Sequence, residues 1–183
     1  MKLIRRLLML GCSVVAMLIL VILVSGIFLP SQWDAKATAT SSLSPQELWP
    51  LISDFHRWNE WIGWDDEIYG VRSIKIEGEA ATTGHNYSWS SQGSNGSLTI
   101  TRAEQNVGIW YSGAIESDSP NAEGSITIEV LSDGSSKIIW SDKGDLPPLT
   151  GLLAMWLNSS LGAKFAEDLH RLSQLEPSDS GGR

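Results

Sequence analysis

Residues 147–175 read PPLTGLLAMWLNSSLGAKFAEDLHRLSQL, and this stretch decides how the rest of the chain can fold. Two prolines stop any strand that precedes them, and no further proline follows until Pro177. In the second part of the stretch, apolar side chains recur at steps of three and four residues, which is the spacing of one helix face. They are Leu161, Phe165, Leu169 and Leu172. We therefore predict a long C-terminal helix whose apolar face is covered by the preceding elements.

The two halves of this predicted helix differ in character. Residues 161–175 are amphipathic, and Asp168 falls at the edge of their apolar stripe, where we expect it to reach solvent. Residues 149–157 are apolar around most of the circumference, so they should be buried on several sides, line a hydrophobic cavity or touch a membrane. Between the halves, residues 158–162 are mostly poor helix formers. We predict a bend, a break or a change of environment there.

Strand and turn signals fill residues 69–143, upstream of the helix. Alternation of apolar and polar side chains marks six candidate strands, and residues 33–40 form a further candidate edge strand. Asn95-Gly96 and Asp133-Gly134 are signals for tight hairpin turns. The strands are centred on residues 71–76, 87–89, 98–100, 109–111, 126–130 and 138–140. Short connections make neighbours antiparallel, so we predict a six-strand antiparallel meander.

A capping box marks the start of a helix between the edge strand and the meander. Ser44 is the cap, Pro45 takes the first helical position and Glu47 follows three residues after the cap. Pro50 removes a backbone donor, so this helix should be short or kinked. Residues 54–64 follow as a second short helical piece with a dense aromatic cluster. We interpret this cluster primarily as a hydrophobic plug against the sheet, with contact to a ligand as the alternative.

The N-terminus carries a long uncharged apolar run at residues 7–29. As a helix it would be about 34 Å long, enough to cross a bilayer core of about 30 Å. Lys2, Arg5 and Arg6 precede it, which predicts a cytoplasmic N-terminus and a domain on the extracytoplasmic side of the cell membrane. A cleaved signal peptide is the alternative, but its apolar region is usually shorter. We favour a retained single-pass anchor.

Charge and cysteine content limit the possible partners. The net charge is −8, with 13 basic and 21 acidic residues, which makes nucleic acid a poor partner. Cys12 is the one cysteine of the sequence, so the domain has neither an internal disulfide nor a cysteine-ligated zinc site. The sequence also contains 9 tryptophans, which makes an aromatic-lined site plausible.

The order of elements resembles that of the START/polyketide-cyclase superfamily (SRPBCC). The similarity rests on the capping box with the following helix, the tryptophan pair, two meander segments and the amphipathic end of the last helix. These are residues 44–49 and 52–54, Trp58 with Trp61, residues 87–89 with 98–100, 138–140, and 165–169 with Leu172. The resemblance implies an α+β helix-grip fold, in which a curved antiparallel sheet surrounds the C-terminal helix and leaves a cavity for lipids, polyketides or other apolar molecules. It covers about residues 33–175, and membership indicates fold better than function.

These observations predict three parts: a membrane anchor over residues 1–30, a START-like helix-grip domain over 31–176, and a disordered tail over 177–183. The candidate ligand-binding residues are aromatic and apolar side chains that are predicted to face the helix, to lie in the tryptophan cluster or to belong to the apolar first part of the helix. They are Trp58, Trp61, Tyr87, Trp89, Ile100, Trp140, Leu153 and Trp156. A filled core is an equally open interpretation for the strand positions.

Catalytic chemistry has weaker support in the sequence. His56, His85 and His170 are far apart and lack helical metal-binding spacing, so we predict no metal, no cofactor and no assigned catalytic residue. Of the three, His56 lies nearest the aromatic cluster, and His85 is expected at the surface. Asp142 and Asp145 could act as a base at a cavity mouth, although a polar turn is the favoured interpretation.

The leading hypothesis is therefore a non-enzymatic, membrane-tethered binding domain for a lipid-like or other hydrophobic small molecule. Its partners would be that ligand and the membrane, contacted through residues 7–29. One alternative is a cyclase- or hydrolase-type enzyme that uses His56, Asp142 or Asp145 at the same cavity. A second alternative is an envelope protein-interaction module with a solid core.

Overall fold

A computed structural model describes residues 2–63, 73–91, 94–117, 119, 121–148 and 150–176. Within these residues, the α-helices are α1 (Lys2–Phe28), α2 (Pro45–Ser53) and α3 (Gly151–Ser173), and a short 3-10 helix covers Phe55–Glu60. The strands are β1 (Gln32–Ser41), β2 (Ser73–Glu77), β3 (Asn86–Ser90), β4 (Asn95–Glu104), β5 (Gly108–Ile115), β6 (Ala122–Val130) and β7 (Ser136–Asp145). The predicted tail at 177–183 and the predicted start of β2 at 71–72 lie outside the described residues.

All seven strands form one antiparallel sheet in the order β1-β7-β6-β5-β4-β3-β2. Strands β2 to β7 follow one another as the predicted meander. Strand β1 is added at the edge of the sheet and pairs along β7 from Gln32↔Asp145 to Ser41↔Ser136. Together with α3 packed against the sheet, this confirms the predicted α+β helix-grip architecture.

The capping box forms as predicted. The backbone N–H of Ser44 donates to Glu47 Oε2 at 2.7 Å, and the Ser44 side chain accepts from the Glu47 N–H. Helix α2 contains Pro50 and runs for only 9 residues, in agreement with the prediction of a short helix. It buries Leu48, Leu51 and Ile52 in the core.

The tryptophan pair of the 3-10 helix region is buried in this core. The indole N–H of Trp58 donates to the Ile52 carbonyl at 3.0 Å, and that of Trp61 donates to the Leu51 carbonyl at 3.1 Å. Both bonds join the end of α2 to the next segment, and each satisfies a donor that would be costly to bury alone. The plug interpretation therefore holds for Trp61, whereas Trp58 also faces a cavity.

One of the two hairpin predictions is confirmed and the other is wrong. Asp133 and Gly134 lie in the turn between β6 and β7, where Gly134 has a positive φ of 85°. Asn95 and Gly96 instead lie inside β4, and Gly96 pairs with Trp89 of β3. A side chain at position 96 would come within 2.3 Å of the Trp89 ring, so this glycine makes room for an indole.

Helix α3 is continuous from Gly151 to Ser173, so of the predicted alternatives near residues 158–162 a break is excluded and a change of environment is observed. Phe165, Leu169 and Leu172 are buried. Leu152, Leu153, Met155 and Trp156 are exposed, which excludes burial on several sides, and membrane contact by these residues stays a prediction.

Helix α1 covers most of the apolar run, and large apolar side chains along it, including Met17, Leu20 and Phe28, are exposed. Over the described residues, no helix reaches the length and apolarity needed to cross a membrane. The anchor therefore stays a prediction. Where α1 ends, Leu29 packs against Gly151, and a side chain at position 151 would come within 2.2 Å of Leu29 Cβ.

Candidate functional site: an aromatic cavity with a carboxyl group in its wall

A cavity of about 560 Å³ lies between the sheet and α3. The sheet contributes side chains from β1 and from β3 to β7, and α3 contributes Leu157, Leu161 and Phe165. Seven of its lining residues are aromatic, namely Trp33, Trp58, Tyr87, Trp89, Tyr111, Trp140 and Phe165. Its volume lies within the range of about 300 to 1,000 Å³ that is usual for small-molecule sites.

The aromatic wall is held together by ring contacts. Trp140 stacks on Phe165 with centroids 4.2 Å apart, so a strand and the helix meet through two parallel rings. Trp58 reaches Tyr111 and Trp140 with centroid distances of 6.2 and 6.1 Å. The two distances of Trp58 are typical of favourable aromatic pairs, so these contacts help to stabilise the wall.

Asp142 is the polar centre of this wall. Its Oδ1 accepts a 2.6 Å hydrogen bond from the Tyr111 hydroxyl and a 3.1 Å bond from Trp140 Nε1. Trp140 Nε1 also donates to the Tyr111 oxygen at 2.7 Å. The three groups form a closed triangle in which both donors are directed to one side of the carboxyl group.

Strand register explains how these side chains meet. Tyr111 pairs with Gly124, and Gly124 pairs with Asp142 in the next strand. A side chain at position 124 would come within 2.3 Å of both Asp142 Oδ1 and the Tyr111 ring. The missing side chain at Gly124 therefore lets Tyr111 reach across β6 to Asp142.

Burial perturbs both ionisable groups of the triangle. Loss of solvation raises the pKa of Asp142 to about 7, and the hydrogen bonds from Tyr111 and Trp140 oppose that rise. Burial, together with the nearby Asp142, raises the pKa of Tyr111 well above its usual value. Near neutral pH, Asp142 can therefore be either a proton donor or an acceptor, and Tyr111 keeps its proton.

A second polar group lies on the helix side of the cavity. Lys164 Nζ contacts both oxygens of Asp168, at 2.6 and 2.5 Å, and the Gly63 N–H donates to Asp168 Oδ1 at 3.0 Å. Asp168 is 1% exposed, so the expectation that it reaches solvent is wrong. Through its bond to Gly63, Asp168 joins α3 to the loop after the 3-10 helix. A helical-wheel projection shows only the helix itself and cannot reveal such a contact.

The predicted ligand-binding residues divide into two sets. Trp58, Tyr87, Trp89 and Trp140 line the cavity. Trp61 and Ile100 are fully buried in the core outside its lining, and Leu153 and Trp156 are exposed, at 45% and 62%. Binding by any of the eight stays a prediction, but only the first four share one concave wall.

The candidate catalytic residues are similarly divided. Asp142 and Asp145 belong to β7 and line the cavity, so the polar-turn interpretation is wrong. The His56 side chain is 61% exposed and bonds Asp54, outside that lining. His170 is exposed, as expected from its position on the polar face of α3.

Sequence reasoning missed Tyr111 and Phe165 as cavity residues. Apolar residues fell on both faces around Tyr111, which hid its direction, and Phe165 was assigned only to the gripped face of the helix. Gly124, opposite both Tyr111 and Asp142 in the register, is the signal that could have identified the triangle.

Asp54, His56 and His85 place potential metal ligand atoms within 4.8 Å of one another. His85 is fully buried, contrary to the surface position expected for it, and stacks on Phe55 at 4.8 Å. Its Nε2 accepts from the Phe55 N–H at 3.0 Å, and its Nδ1 lies 3.1 Å from the Glu77 carbonyl. Both ring nitrogens are thus engaged by the backbone, and the cluster is best explained as a structural cap of the 3-10 helix.

Comparison with known proteins agrees with this geometry. The sequence model of a family described as polyketide cyclase/dehydrase and lipid transport matches residues 32–175. The search of curated proteins found no match.

Several solved structures are similar in fold. DynU16, from the dynemicin biosynthetic locus, has a TM-score of 0.55 at 14% identity, and the match covers 77% of this chain and 46% of DynU16. The chain thus spans less than half the length of DynU16. The Aha1 dimer structure from Colwellia psychrerythraea gives 0.55 at 14% identity, with 81% and 98% covered. A protein from Thermobifida fusca gives 0.59 at 17% identity, with 77% and 91% covered. At these identities the similarity concerns the fold alone.

Proposed function

Because the chain belongs to the polyketide cyclase/dehydrase and lipid-transport family, we propose that it binds a hydrophobic small molecule in the aromatic cavity. We also propose that it does so while tethered to a membrane. The family match over residues 32–175 confirms the START/polyketide-cyclase resemblance. The observation that carries the binding proposal is a cavity of about 560 Å³ that is lined by seven aromatic side chains and has the triangle of Tyr111, Trp140 and Asp142 in its wall. Such a site combines apolar contact area with a few groups that orient a ligand.

Native mass spectrometry of the full chain, released from detergent micelles after exposure to membrane lipids and aromatic compounds, tests this function. We expect a bound species that is lost in Leu161→Trp, where an indole enters the cavity. Ala166→Trp adds the same ring on the exposed side of α3 and should keep the ligand. Absence of any bound species with the wild-type chain, under all conditions, would refute the proposal.

The positions of the exposed large apolar side chains support the tether. They occur along α1 and again on the first turns of α3, which meet α1 at the contact between Leu29 and Gly151. The basic residues Lys2, Arg5 and Arg6 orient such a tether with its N-terminus in the cytoplasm.

Orientation can be tested by replacing Asp133, in the exposed β6–β7 turn, with cysteine. An impermeant maleimide should label this variant in right-side-out membrane vesicles and leave it unlabelled in sealed inside-out vesicles. The wild-type chain, with Cys12 alone, gives the background. The reverse pattern would contradict the proposed orientation, and a chain absent from the membrane fraction would contradict the tether.

Acid–base chemistry of the cyclase type is the second candidate. It is favoured by the placement of Asp142 beside Tyr111 in the cavity wall, whereas the exposed His56 gives it no support. Incubation with poly-β-ketone compounds, followed by chromatography, tests it. Turnover by the wild-type chain that is abolished in Asp142→Asn would favour an enzyme, and no product from either chain would exclude these compounds as substrates.

A further inference from the structure

We propose that the ligand of the aromatic cavity is an apolar molecule with a protonated amine, and that Asp142 is the residue that pairs with the amine. This inference rests on the proposed binding function and specifies its ligand class. Its basis is the way the Asp142 carboxyl group is held, the balance of charge around the cavity and the rings that surround it.

The carboxyl group of Asp142 is fixed through one oxygen only. Tyr111 and Trp140 both donate to Oδ1, and among the described residues none donates to Oδ2. Because the two donors hold the group in place, Oδ2 is a positioned acceptor with unused capacity. A ligand donor could bond there without disturbing the triangle.

The charges around the cavity favour a cation over an anion. Besides Asp142, its lining includes the carboxylates of Glu116, Asp145 and Asp168. Lys164 is the lining cation among the described residues, and it contacts Asp168 on the helix side. No ion pair among the described residues includes Asp142. A fatty acid or another anion would therefore meet an excess of negative charge, whereas an ammonium group would find a partner.

The rings next to Asp142 add to this preference. Trp140 and Tyr111 bond the carboxyl group directly, and Trp58 lies about 6 Å from both of them, centroid to centroid. Electron-rich ring faces attract cations, most strongly where solvent is excluded. An amine at Asp142 would thus have a carboxylate and aromatic rings as neighbours, while its apolar body contacts the remaining cavity wall.

The protonation behaviour of Asp142 agrees with this assignment. Its pKa is raised because it is buried without a cationic partner, and a bound ammonium group would supply that partner and stabilise the ionised carboxylate. Binding of an amine near pH 7 should therefore release a proton from Asp142. The other ionisable groups that line the cavity are Tyr87, Tyr111, Glu116, Asp145, Lys164 and Asp168.

A matched set of probes on the full chain in micelles tests the proposal. The probes are 4-(1-naphthyl)butylamine and the alcohol and carboxylic acid of the same length, so that ring and chain stay constant. We expect the amine to bind about 10-fold more tightly than the alcohol, as for a hydrogen bond to a charged group, and the acid to bind most weakly. In Asp142→Asn, the amine should bind no better than the alcohol. Asp34→Asn, at an exposed carboxylate of β1 outside the cavity lining, should retain the preference.

A second measurement uses only the wild-type chain and does not depend on how well the variant folds. Calorimetry at pH 7 in two buffers of different ionisation enthalpy counts the protons released on binding. The amine should release a fraction of a proton, because a carboxyl group with a pKa near 7 is partly protonated there, and the alcohol should release none.

The outcomes separate this inference from the proposed function. Equal binding of all three probes, tightest binding of the acid, or no proton release with the amine would overturn the amine assignment while leaving a binding protein. Failure of every probe, together with no bound species in native mass spectrometry, would instead overturn the binding function itself. The amine could come from an aminolipid or from a soluble aromatic amine, and a comparison of dodecylamine with the naphthyl amine distinguishes these two sources. Tighter binding of the alkyl chain indicates an aminolipid, and tighter binding of the ring indicates a soluble aromatic amine.

Discussion

The hydroxyl group of Tyr111 donates a 2.6 Å hydrogen bond to Asp142, although these residues lie on strands separated by β6. The bond can form because the intervening residue of the register is Gly124. A tyrosine side chain is long enough to cross one strand only where the strand offers no side chain of its own. The polar centre of the cavity thus depends on a residue that contributes no atom to it.

Gly124→Ala should therefore destabilise the protein and break the triangle. The added methyl group would lie 2.3 Å from Asp142 Oδ1 and the Tyr111 ring, and overpacking of this kind typically costs about 1 to 3 kcal/mol. Urea unfolding gives the loss of stability. Gly162→Ala is the control, because its methyl group would meet only the Lys36 carbonyl at 3.7 Å and alanine favours a helix. A Gly124→Ala chain as stable as the control would show that the cavity wall is not closely packed there.

Asp142 should make stability depend on pH in a characteristic direction. Its folded pKa of about 7 lies above the ordinary value of 3.8, so the folded state holds a proton that the unfolded chain releases. This bound proton contributes about 4 kcal/mol to the free energy of unfolding. The contribution is fully present below about pH 4 and is lost as the pH rises through 7. Asp142→Asn, which keeps an acceptor for Tyr111, should remove this dependence.

Urea unfolding at pH 4 and pH 8 measures the effect. Measured relative to that of the wild-type chain, the free energy of unfolding of Asp142→Asn should be higher at pH 8 than at pH 4. The size of this difference should approach the limit set by the pKa shift. Asp34→Asn, at an exposed position of β1, corrects for a general loss of negative charge. If both variants follow the wild-type profile, the carboxyl group of Asp142 is solvated and the cavity is wetter than its lining indicates.

Local patterns predicted much of the fold because the signals and their causes lie in the same segment. Alternation located the seven strands, and the capping box placed the start of α2 at Pro45. Short connections between strands then dictated the meander. Each of these features depends on neighbours a few residues apart, which sequence inspection can see.

The site was harder to predict because its causes are distant in sequence. Residues around Asp142 and Asp145 have the composition of a polar turn, yet pairing with β1 extends the strand through both of them. Asn95-Gly96 has the composition of a hairpin turn, yet Gly96 lies in β4 beneath the Trp89 ring. In each case tertiary pairing overrides a local preference.

A pair of facing serines provides a test of buried hydrogen bonding. Ser41 and Ser136 are opposite each other in the register of β1 and β7, and both are buried. Ser41 Oγ accepts from the Leu43 N–H at 3.1 Å, whereas Ser136 Oγ has no hydrogen-bond partner among the described residues. Ser136→Ala should stabilise the protein by about 1 kcal/mol, and Ser41→Ala should destabilise it by a similar amount. Thermal or urea unfolding compares the two, and effects of the same sign would contradict this assignment.

Contact between the exposed start of α3 and lipid is the last prediction, and it follows from the proposed tether. Trp156 is 62% exposed and lies on the helix that packs against the end of α1, so a membrane-held α1 would bring it close to the bilayer surface. Tryptophan is favoured at that depth because its ring is amphipathic. Brominated lipids should therefore quench part of the tryptophan fluorescence of the full chain in vesicles, and Trp156→Phe should reduce the quenched fraction.

Trp110→Phe is the matched control for this experiment. Trp110 belongs to β5, where its ring is covered by the Arg102 guanidinium group at 4.2 Å, and its removal should not lower the quenched fraction. Equal losses in the two variants would mean that quenching does not report on α3. A quenched fraction that survives Trp156→Phe in full would place the apolar start of α3 away from lipid, and its exposure would then need a protein partner as its explanation.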